Sequence, residues 1–387
     1  MRKQGMARIL GVTLPALLLG SLAVSAAEVA FPHKRGEVRK VGYYVADRLV
    51  EVIEVEVIEG QAVFQGDIVF PLSADGNVRI GSFLDAIELE KSTGRTSAKL
   101  LWANRTVPFV LDESLTGTQR IQIQDALNHW RNNTRLTFVD RTFVDNSRQT
   151  DLVTFRKVDE GCSSAVGRIG RPQLVNLGTE CSTGVIIHEI GHIVGLWHEH
   201  QRTDRDNSVI VKWENILSGR ENNFQTYAAL GQNGGNFGAA LDFGSIMMYS
   251  SHAFSSNGQP TLTRLDGTTF AVQRTALSPA DKNGVNCNMY PSRLTVALSC
   301  SGNFKGSLQV HCTADTGGGG LPLSYRWTYN GAAPSWSSDG QNAHAGYSSP
   351  GCQPGNLNRF SVTVTDACGQ SRNRRVSVRC PATRPSQ

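Results

Sequence analysis

Residues 188–206 read HEIGHIVGLWHEHQRTDRD and contain four of the nine histidines of the chain. His188 and His192 are four positions apart, so on a helix both side chains leave the same face. Two imidazoles in that arrangement can hold one Zn²⁺ ion, and Glu189 stands beside them without occupying a ligand position. The stretch therefore predicts a metal-binding helix with a carboxylate at hand to accept a proton.

Gly195 explains how a third histidine can reach the same metal. His198 lies six residues beyond His192, and a continuous helix would point it away from the pair. A glycine readily takes a positive φ, which ends the helix and lets the chain turn back. Three protein ligands leave coordination positions open, as is typical of catalytic zinc. The alternative is that these are ordinary surface or core histidines on a helix. It is much less favoured, because Gly195 and His198 stand at fixed offsets from the first pair.

The same stretch resembles the HExxHxxGxxH signature of the metzincin metallopeptidases. Its continuation from Glu199 is similar to the E-x-x-R-x-D-R-D pattern of the astacin family and matches it at every position. Downstream, SIMMY at 245–249 resembles the family's S-I-M-H-Y, with Met248 in place of the usual histidine. The resemblance covers roughly residues 95–291, including LWANRTVPFVLD near its start and LSPAD near its end.

This resemblance implies a metzincin-type α+β catalytic domain over 96–291, with a twisted sheet and an active-site helix. It also implies one catalytic Zn²⁺ ion and the hydrolysis of protein or peptide substrates by a zinc-activated water, with Glu189 as general base. Met247 would be the Met-turn residue beneath the zinc, and Tyr249 a displaceable ligand that stabilises the oxyanion. Ordinary packing remains an alternative for Tyr249. Substrate would pair with an edge strand, for which 163–177 is a candidate.

The first 27 residues have the three parts of a signal peptide: a basic start, an apolar run and small residues. A membrane anchor is the alternative, but the run is shorter than the ~20 residues that a span needs, and Pro15 interrupts it. We therefore expect a secreted, extracellular protein with no membrane anchor in the mature form.

Residues 28–95 are predicted to form a pro-segment. Its Val/Ile/Glu-rich run, VEVIEVEVIEG, alternates as a strand with one acidic face does. FQGDIVF at 64–70 reads by itself as a strand–turn–strand around Gly66 and Asp67. It also resembles the F-x-G-D motif of astacin pro-segments, which implies a latent precursor with Asp67 on the zinc. An activating protease would cut between about Asp85 and Ala98, and the new amino terminus would fold towards Glu199.

All eight cysteines lie at or beyond Cys162 and are expected to form disulfides in an exported chain. The family resemblance implies a bridge between Cys162 and Cys181. Arg135 stands where the resemblance places the first cysteine of the family's second bridge. Cys287 is thus free to pair with the C-terminal region, and the six cysteines from Cys287 onward allow fifteen pairings.

Residues 292–387 alternate between polar and apolar residues in short runs separated by turn-forming clusters. This pattern predicts a small all-β sandwich, similar to immunoglobulin or PKD modules, that serves as a spacer or binds substrate. Arginines cluster near 371–379 without interleaved aromatic residues, and the formal net charge is only +5. We therefore expect no nucleic-acid partner.

Three classes of function compete at this point: a secreted zinc endopeptidase, a binding protein with a degenerate peptidase domain, and a metal hydrolase of non-peptide substrates. A degenerate domain would lack a ligand histidine or the glutamate, and neither is missing. The complete motif favours the endopeptidase.

Overall fold

The computed structural model describes residues 30, 34–45, 48–80, 94–95, 100–146, 151–230, 232, 234–238, 240–303, 309–330, 344–348, 355 and 357–379. The predicted signal peptide and nearly all of the predicted cleavage region lie outside these residues. Among the helices of the described ranges, none combines the length and apolar character that a membrane span requires.

The N-terminal region is a five-stranded sheet with strand order β4-β3-β2-β1-β5. Its strands are β1 (Glu37–Val45), β2 (Arg48–Ile58), β3 (Gln61–Phe64), β4 (Ile68–Pro71) and β5 (Val78–Ile80). The predicted strand with an acidic face is β2, and that face is turned towards the central region: Glu56 is paired with Arg220, and Glu54 accepts a hydrogen bond from Asn222.

The central region is built on a second five-stranded sheet, with strand order β7-β6-β8-β10-β9. Its elements are β6 (Thr106–Leu111), α1 (Gly117–Asn133), β7 (Thr137–Asp140), β8 (Val153–Lys157), β9 (Cys162–Ser163), β10 (Gln173–Leu177) and α2 (Thr183–Val194). All neighbouring pairs are parallel except β9 with β10, which is antiparallel. This mixed sheet with packed helices confirms the predicted α+β class.

Helix α1 packs against α2 through the stripe that the sequence predicted. Ile123, Ala126, Leu127 and Trp130 are fully buried, because their spacing brings them onto one face. A capping box at Thr116 begins the helix. The indole Nε1 of Trp130 donates to the Ile187 carbonyl of α2 over 3.1 Å, which satisfies its polar atom within the core. The stripe therefore fixes α2 against the sheet.

Beyond α2 the chain runs mostly through loops, with a short hairpin of β11 (Val209–Val211) and β12 (Leu262–Arg264). Helix α3 (Pro279–Asn283) leads into a wider helical turn over Gly284–Met289. In α3, Asp281 accepts hydrogen bonds from the Ser245 hydroxyl and the Ile246 amide, so the carboxylate anchors the segment that runs beneath α2.

The C-terminal region is all-β, as predicted. Two three-stranded sheets, β13-β14-β16 and β15-β17-β18, share one apolar core. The strands are β13 (Thr295–Asn303), β14 (Gln309–Gly317), β15 (Leu323–Tyr329), β16 (His344–Ser348), β17 (Leu357–Asp366) and β18 (Ser371–Arg379).

Disulfides join the C-terminal region to itself and to the central region. Cys300 pairs with Cys312 inside the sandwich, and Cys162 pairs with Cys181 beside β9. Cys287 pairs with Cys368 of the C-terminal region, which is one of the pairings that the sequence left open. Cys352 and Cys380 lie outside the described residues.

Arg135 bridges the two regions through hydrogen bonds. Its guanidinium donates to the Gly319 carbonyl over 3.0 Å and to the Gly318 carbonyl over 2.8 Å. The junction therefore combines a covalent bond with oriented hydrogen bonds.

Candidate metal centre and its surroundings

Helix α2 carries two of the three predicted ligand histidines and ends at Gly195. The Ser182 hydroxyl caps its first turn, and Gly195 takes a φ of 112°, in the left-handed region. The chain then reverses direction and brings His198 back to the face of α2 that bears His188 and His192.

The three imidazoles converge in the interior. His188 is 4% exposed, and His192 and His198 are fully buried. The Nε2 atoms of His192 and His198 are 3.2 Å apart. Burial lowers the pKa of His188 to about 3 and also lowers that of His198, which keeps both rings in the neutral form that binds metal.

Backbone carbonyls fix the tautomers of two of these rings. His188 Nδ1 lies 2.8 Å from the Ile246 carbonyl oxygen, and His192 Nδ1 lies 2.9 Å from that of Leu196. A carbonyl oxygen can only accept, so each Nδ1 carries the proton and each Nε2 presents its lone pair to the centre. Orientation of ligand imidazoles by such outer hydrogen bonds is typical of metal sites.

Asp67 of the N-terminal region enters the same centre. Its Oδ2 lies 3.0 Å from His198 Nε2 and 3.4 Å from His188 Nε2, and its Oδ1 lies 3.7 Å from His192 Nε2. Burial opposes ionisation of Asp67, but contact with the imidazoles outweighs it and holds the pKa of this carboxyl well below its usual value. One ligand atom from each of the four residues lies within 4.8 Å of the others.

These residues fit a zinc ion. Within the described residues the buried Oδ1 of Asp67 has no hydrogen-bond partner. The lone pairs of His188 and His192 and the carboxylate are all acceptors, so a cation at their centre would satisfy them together. Imidazole nitrogen and carboxylate oxygen are ligands that zinc takes in proteins.

Glu189 lies next to this centre and is 1% exposed. Its Oε2 accepts a hydrogen bond of 2.7 Å from the Ser164 hydroxyl, which also contacts the Glu189 carbonyl. Burial, together with the negative charge of Asp67, raises the pKa of Glu189 well above its usual value. A carboxyl so tuned and fixed can take up and release a proton beside the histidines.

Met247 packs against helix α2 at Gly191. A methyl group built on Gly191 of α2 would come within 2.6 Å of the Met247 sulfur, so a larger residue there would have to displace the Met247 side chain. The Met247 carbonyl accepts the Glu199 amide over 3.0 Å and links this turn to the segment that carries His198. Met248 is fully buried and points away into another cluster.

Tyr249 lies beside His198, with ring centroids 4.4 Å apart, and stacks on His200 at 4.1 Å. Its hydroxyl donates to the Gln65 carbonyl of the N-terminal region. In this state of the protein Tyr249 is therefore engaged with the segment that carries Asp67.

The FQGD segment forms the predicted strand–turn–strand, and its turn places Asp67 beside the three histidines. Strands β3 and β4 flank the turn, in which Gly66 has a φ of 83°. Ile68 pairs in parallel with Ser164, whose amide donates to the Asp67 carbonyl over 3.1 Å and whose carbonyl accepts the Val69 amide over 3.0 Å.

The candidate substrate stretch 163–177 is at an edge only in its first residues. Strand β9 is the outer strand, whereas β10 lies inside the sheet between β8 and β9. The edge position next to the histidines is occupied by the FQGD segment.

The residues after His198 brace the loops around the centre. Arg202 donates to the Phe237 carbonyl over 2.6 Å and pairs with Asp204, and Arg205 donates to the His200 carbonyl. Glu199 accepts the Asp242 amide over 2.9 Å, and burial raises the pKa of Glu199 to about 8.

Sequence reasoning missed two features of this site. Ser164 contacts Glu189 across 25 positions of sequence and has no motif of its own. The Arg220–Glu56 ion pair, in which both side chains are 8% exposed, joins the N-terminal region to the central region. The Arg220 guanidinium also lies over the ring of Phe254. The acidic face of β2 was the only signal for this contact.

Comparison with known proteins agrees with this geometry. Residues 94–290 match the model of the astacin family of peptidases. The chain is 37% identical over 230 residues to the protein SpAN of Strongylocentrotus purpuratus, which covers 56% of this chain and 36% of that protein. It is 34% identical over 246 residues to zinc metalloproteinase nas-14 of Caenorhabditis elegans, which covers 60% and 48%.

Among solved structures, high choriolytic enzyme 1, a hatching enzyme zinc-protease from Oryzias latipes, is 27% identical and covers 52% of this chain and 98% of that one, with a TM-score of 0.43. The chain spans 36% and 48% of the lengths of the two curated relatives above. The family model, in contrast, covers half of this chain and includes all three histidines. The chain belongs to the astacin family of peptidases.

Proposed function

We propose that this protein is a secreted zinc endopeptidase that is made as a latent precursor. The observation that carries the proposal is the convergence of three buried imidazoles beside the buried Glu189. Membership of the astacin family supports peptide bonds as the substrate. The intact disulfides support an oxidising, extracellular location.

His188, His192 and His198 would hold the metal, with Asp67 as a further ligand in the precursor. Zinc bound there would polarise the scissile carbonyl and make a water molecule acidic enough to react at neutral pH. The neutral imidazoles, fixed by the Ile246 and Leu196 carbonyls, are preorganised for this role.

Glu189 would be the general base. It accepts a proton from the attacking water and passes it to the nitrogen of the leaving amine. The Ser164 hydroxyl orients its carboxylate, and burial raises the pKa of that carboxyl, which favours proton uptake. Departure of Asp67 would remove a negative neighbour and so relieve part of the rise in the pKa of Glu189.

The hydroxyl of Tyr249 would donate a hydrogen bond to the oxyanion that develops on the substrate carbonyl. In the precursor this hydroxyl is held by the Gln65 carbonyl. Release of the N-terminal segment would therefore free the Tyr249 hydroxyl and, in the same step, remove Asp67 from the metal centre.

We further assign four parts to the chain: a signal peptide at 1–27, a pro-segment at 28–95, a peptidase domain at 96–291 and an immunoglobulin- or PKD-like module at 292–387. The contacts of Asp67, Gln65 and Glu56 with the central region support an inhibitory role for the pro-segment. An activating protease would cut between about Asp85 and Ala98, after which protein substrates would occupy the edge at Ser163–Ser164.

The test is hydrolysis of casein by the trimmed protein, with the metal content measured in parallel. We expect about one zinc per chain, loss of turnover on chelation and recovery when zinc is restored. Glu189→Ala should keep the zinc and lose turnover by a factor of about 10² or more, because general-base catalysis contributes on that scale.

Glu214→Ala serves as the matched control, since it removes an exposed glutamate that is not part of the histidine centre. A zinc-loaded Glu189→Ala protein with near-normal turnover would refute the assignment of the base. Zinc-loaded, trimmed wild-type protein that cleaves no peptide would favour a degenerate binding domain or a non-peptide substrate.

A further inference from the structure

The sheet β15-β17-β18 turns one face to the core and the other face outwards. Along β17, Asn358, Phe360, Val362, Val364 and Asp366 are buried, and the residues between them are not. The antiparallel register assigns the partners of these intervening residues on β15 and β18 to the same outward face. The module therefore exposes a three-stranded surface that packs against nothing in the described part of the chain.

Four arginines lie on this outward face: Arg326 on β15, Arg359 on β17, and Arg375 and Arg379 on β18. All four are exposed, and none of them forms an ion pair with another described residue. We call this surface the arginine face. Its other positions carry no aspartate or glutamate; they are Ser324, Thr328, Leu357, Ser361, Thr363, Thr365, Ser371, Asn373 and Ser377.

The arginines form a spaced pattern. Arg359 pairs with Ser377, which lies midway between Arg375 and Arg379 on the neighbouring strand. Diagonal neighbours across a strand pair are about 7–8 Å apart, so each of these guanidinium groups has its own access to solvent. Positive charges gathered on one face in this way attract a polyanion.

The side chains between the arginines are hydroxyls and an amide. Asn373 donates to the Thr363 hydroxyl over 2.8 Å, and Thr328 and Ser361 share a hydrogen bond of 2.6 Å. These groups offer donors and acceptors to a ligand that is itself rich in hydroxyls. No aromatic side chain is present among the outward positions on which a nucleic-acid base could stack.

We propose that the arginine face binds an acidic polysaccharide that carries sulfate or carboxylate groups. Arginine pairs with such groups in a bidentate manner, and the hydroxyl and amide side chains match the sugar hydroxyls. The face would hold the protein on a polyanionic matrix. This inference concerns the C-terminal module alone and does not depend on peptidase activity.

Binding of the full-length precursor to dextran sulfate tests the proposal, with unsulfated dextran as the uncharged probe. In about 0.1 M salt, where charges are screened beyond about 10 Å, we expect binding to dextran sulfate and none to dextran. The Arg359→Gln/Arg375→Gln variant should bind dextran sulfate at least about tenfold more weakly, because two bidentate contacts are lost. Arg359→Lys/Arg375→Lys, which keeps the charge, should lose less.

The matched control is Arg372→Gln/Arg374→Gln, which removes the same charge from positions of β18 that are not on the arginine face. It should weaken binding less than about threefold, since only the long-range field changes. Equal losses in the two pairs, or a lysine variant as weak as the glutamine variant, would overturn the proposal. So would equal binding of unsulfated dextran, or duplex DNA bound more tightly than dextran sulfate through the same arginines.

Discussion

His198 is held by groups from three parts of the chain. Its Nε2 lies 3.0 Å from Asp67 Oδ2 and 3.2 Å from His192 Nε2, and its ring lies 4.4 Å from that of Tyr249. It reaches this position only because Gly195 reverses the chain. A ligand set assembled in this way depends on each member.

His198→Ala should therefore lose both zinc and turnover, since it removes one of three histidine ligands. Metal analysis of the trimmed protein checks this, with His200→Ala as the control, because His200 is buried nearby but contacts the Asn223 carbonyl. Unchanged zinc content in His198→Ala would show that this residue is not a ligand.

Gly191 is a second residue with a sharp structural requirement. A methyl group at this position would lie 2.6 Å from the Met247 sulfur. We expect Gly191→Ala to lower the free energy of unfolding by about 1–3 kcal/mol, the usual cost of overpacking a tight core. Thermal unfolding measures it, and Gly117→Ala, where nothing lies within 4 Å, is the control. Equal stability of the two variants would contradict the packing argument.

At this scale the sequence predicted most of the site, because helical spacing and the glycine turn are local. His188, Glu189 and His192 follow from one helix, and Gly195 brings in His198. Ser164 could not be predicted, since its contact with Glu189 arises from the packing of a distant strand against α2.

Among the elements, strand β2 shows how an acidic face can be used for docking. Glu56 is buried against Arg220, and its Oε1 accepts the Gly36 amide over 2.7 Å. Burial lowers the pKa of Arg220, and the negative charge of Glu56 opposes this shift. An ion pair buried on both sides loses more when one partner is removed than an exposed pair does.

Glu56→Gln should weaken the attachment of the N-terminal sheet, because Arg220 is then left buried without its counter-charge. We expect a loss of about 3 kcal/mol in docking and a higher activity of the uncleaved precursor, with the trimmed protein unchanged. Glu54→Gln, whose carboxylate accepts a hydrogen bond from the uncharged Asn222, is the control. Similar latency in the two variants would argue against a role for the ion pair.

The alternation of VEVIEVEVIEG predicted this strand and its acidic face, but not the partner. Periodicity indicates which side chains share a face, whereas the contact with Arg220 depends on how two regions pack. For the same reason the turn at Gly66 could be predicted from its residues, while its parallel pairing with Ser164 could not.

At the scale of the whole molecule, the C-terminal module is fixed to the central region. The Cys287–Cys368 bridge spans 81 positions, and Arg135 adds hydrogen bonds to two carbonyls of the module. The sequence located the change from mixed to all-β structure near Pro291 but left the partner of Cys287 open, because cysteine spacing does not determine pairing.

A chain ending near Pro291 should still cleave small peptides after trimming, since all proposed catalytic residues precede that point. The full chain with Cys287→Ser/Cys368→Ser should be less stable than the wild type, because a bridge that closes a loop of this length contributes about 4 kcal/mol. Thermal unfolding compares this variant with the wild type and with the truncation. A folded truncation with no turnover on small peptides would contradict the assigned boundary.

The central claim is that the histidine centre is a zinc peptidase site blocked by Asp67. The most direct measurement is the activity of purified, zinc-loaded precursor before and after limited proteolysis, in wild type and in Asp67→Ala. We predict a wild-type precursor that is silent until it is cut, an Asp67→Ala precursor that is active or activates faster, and equal activity once both are trimmed. A fully active intact wild-type precursor would contradict the account.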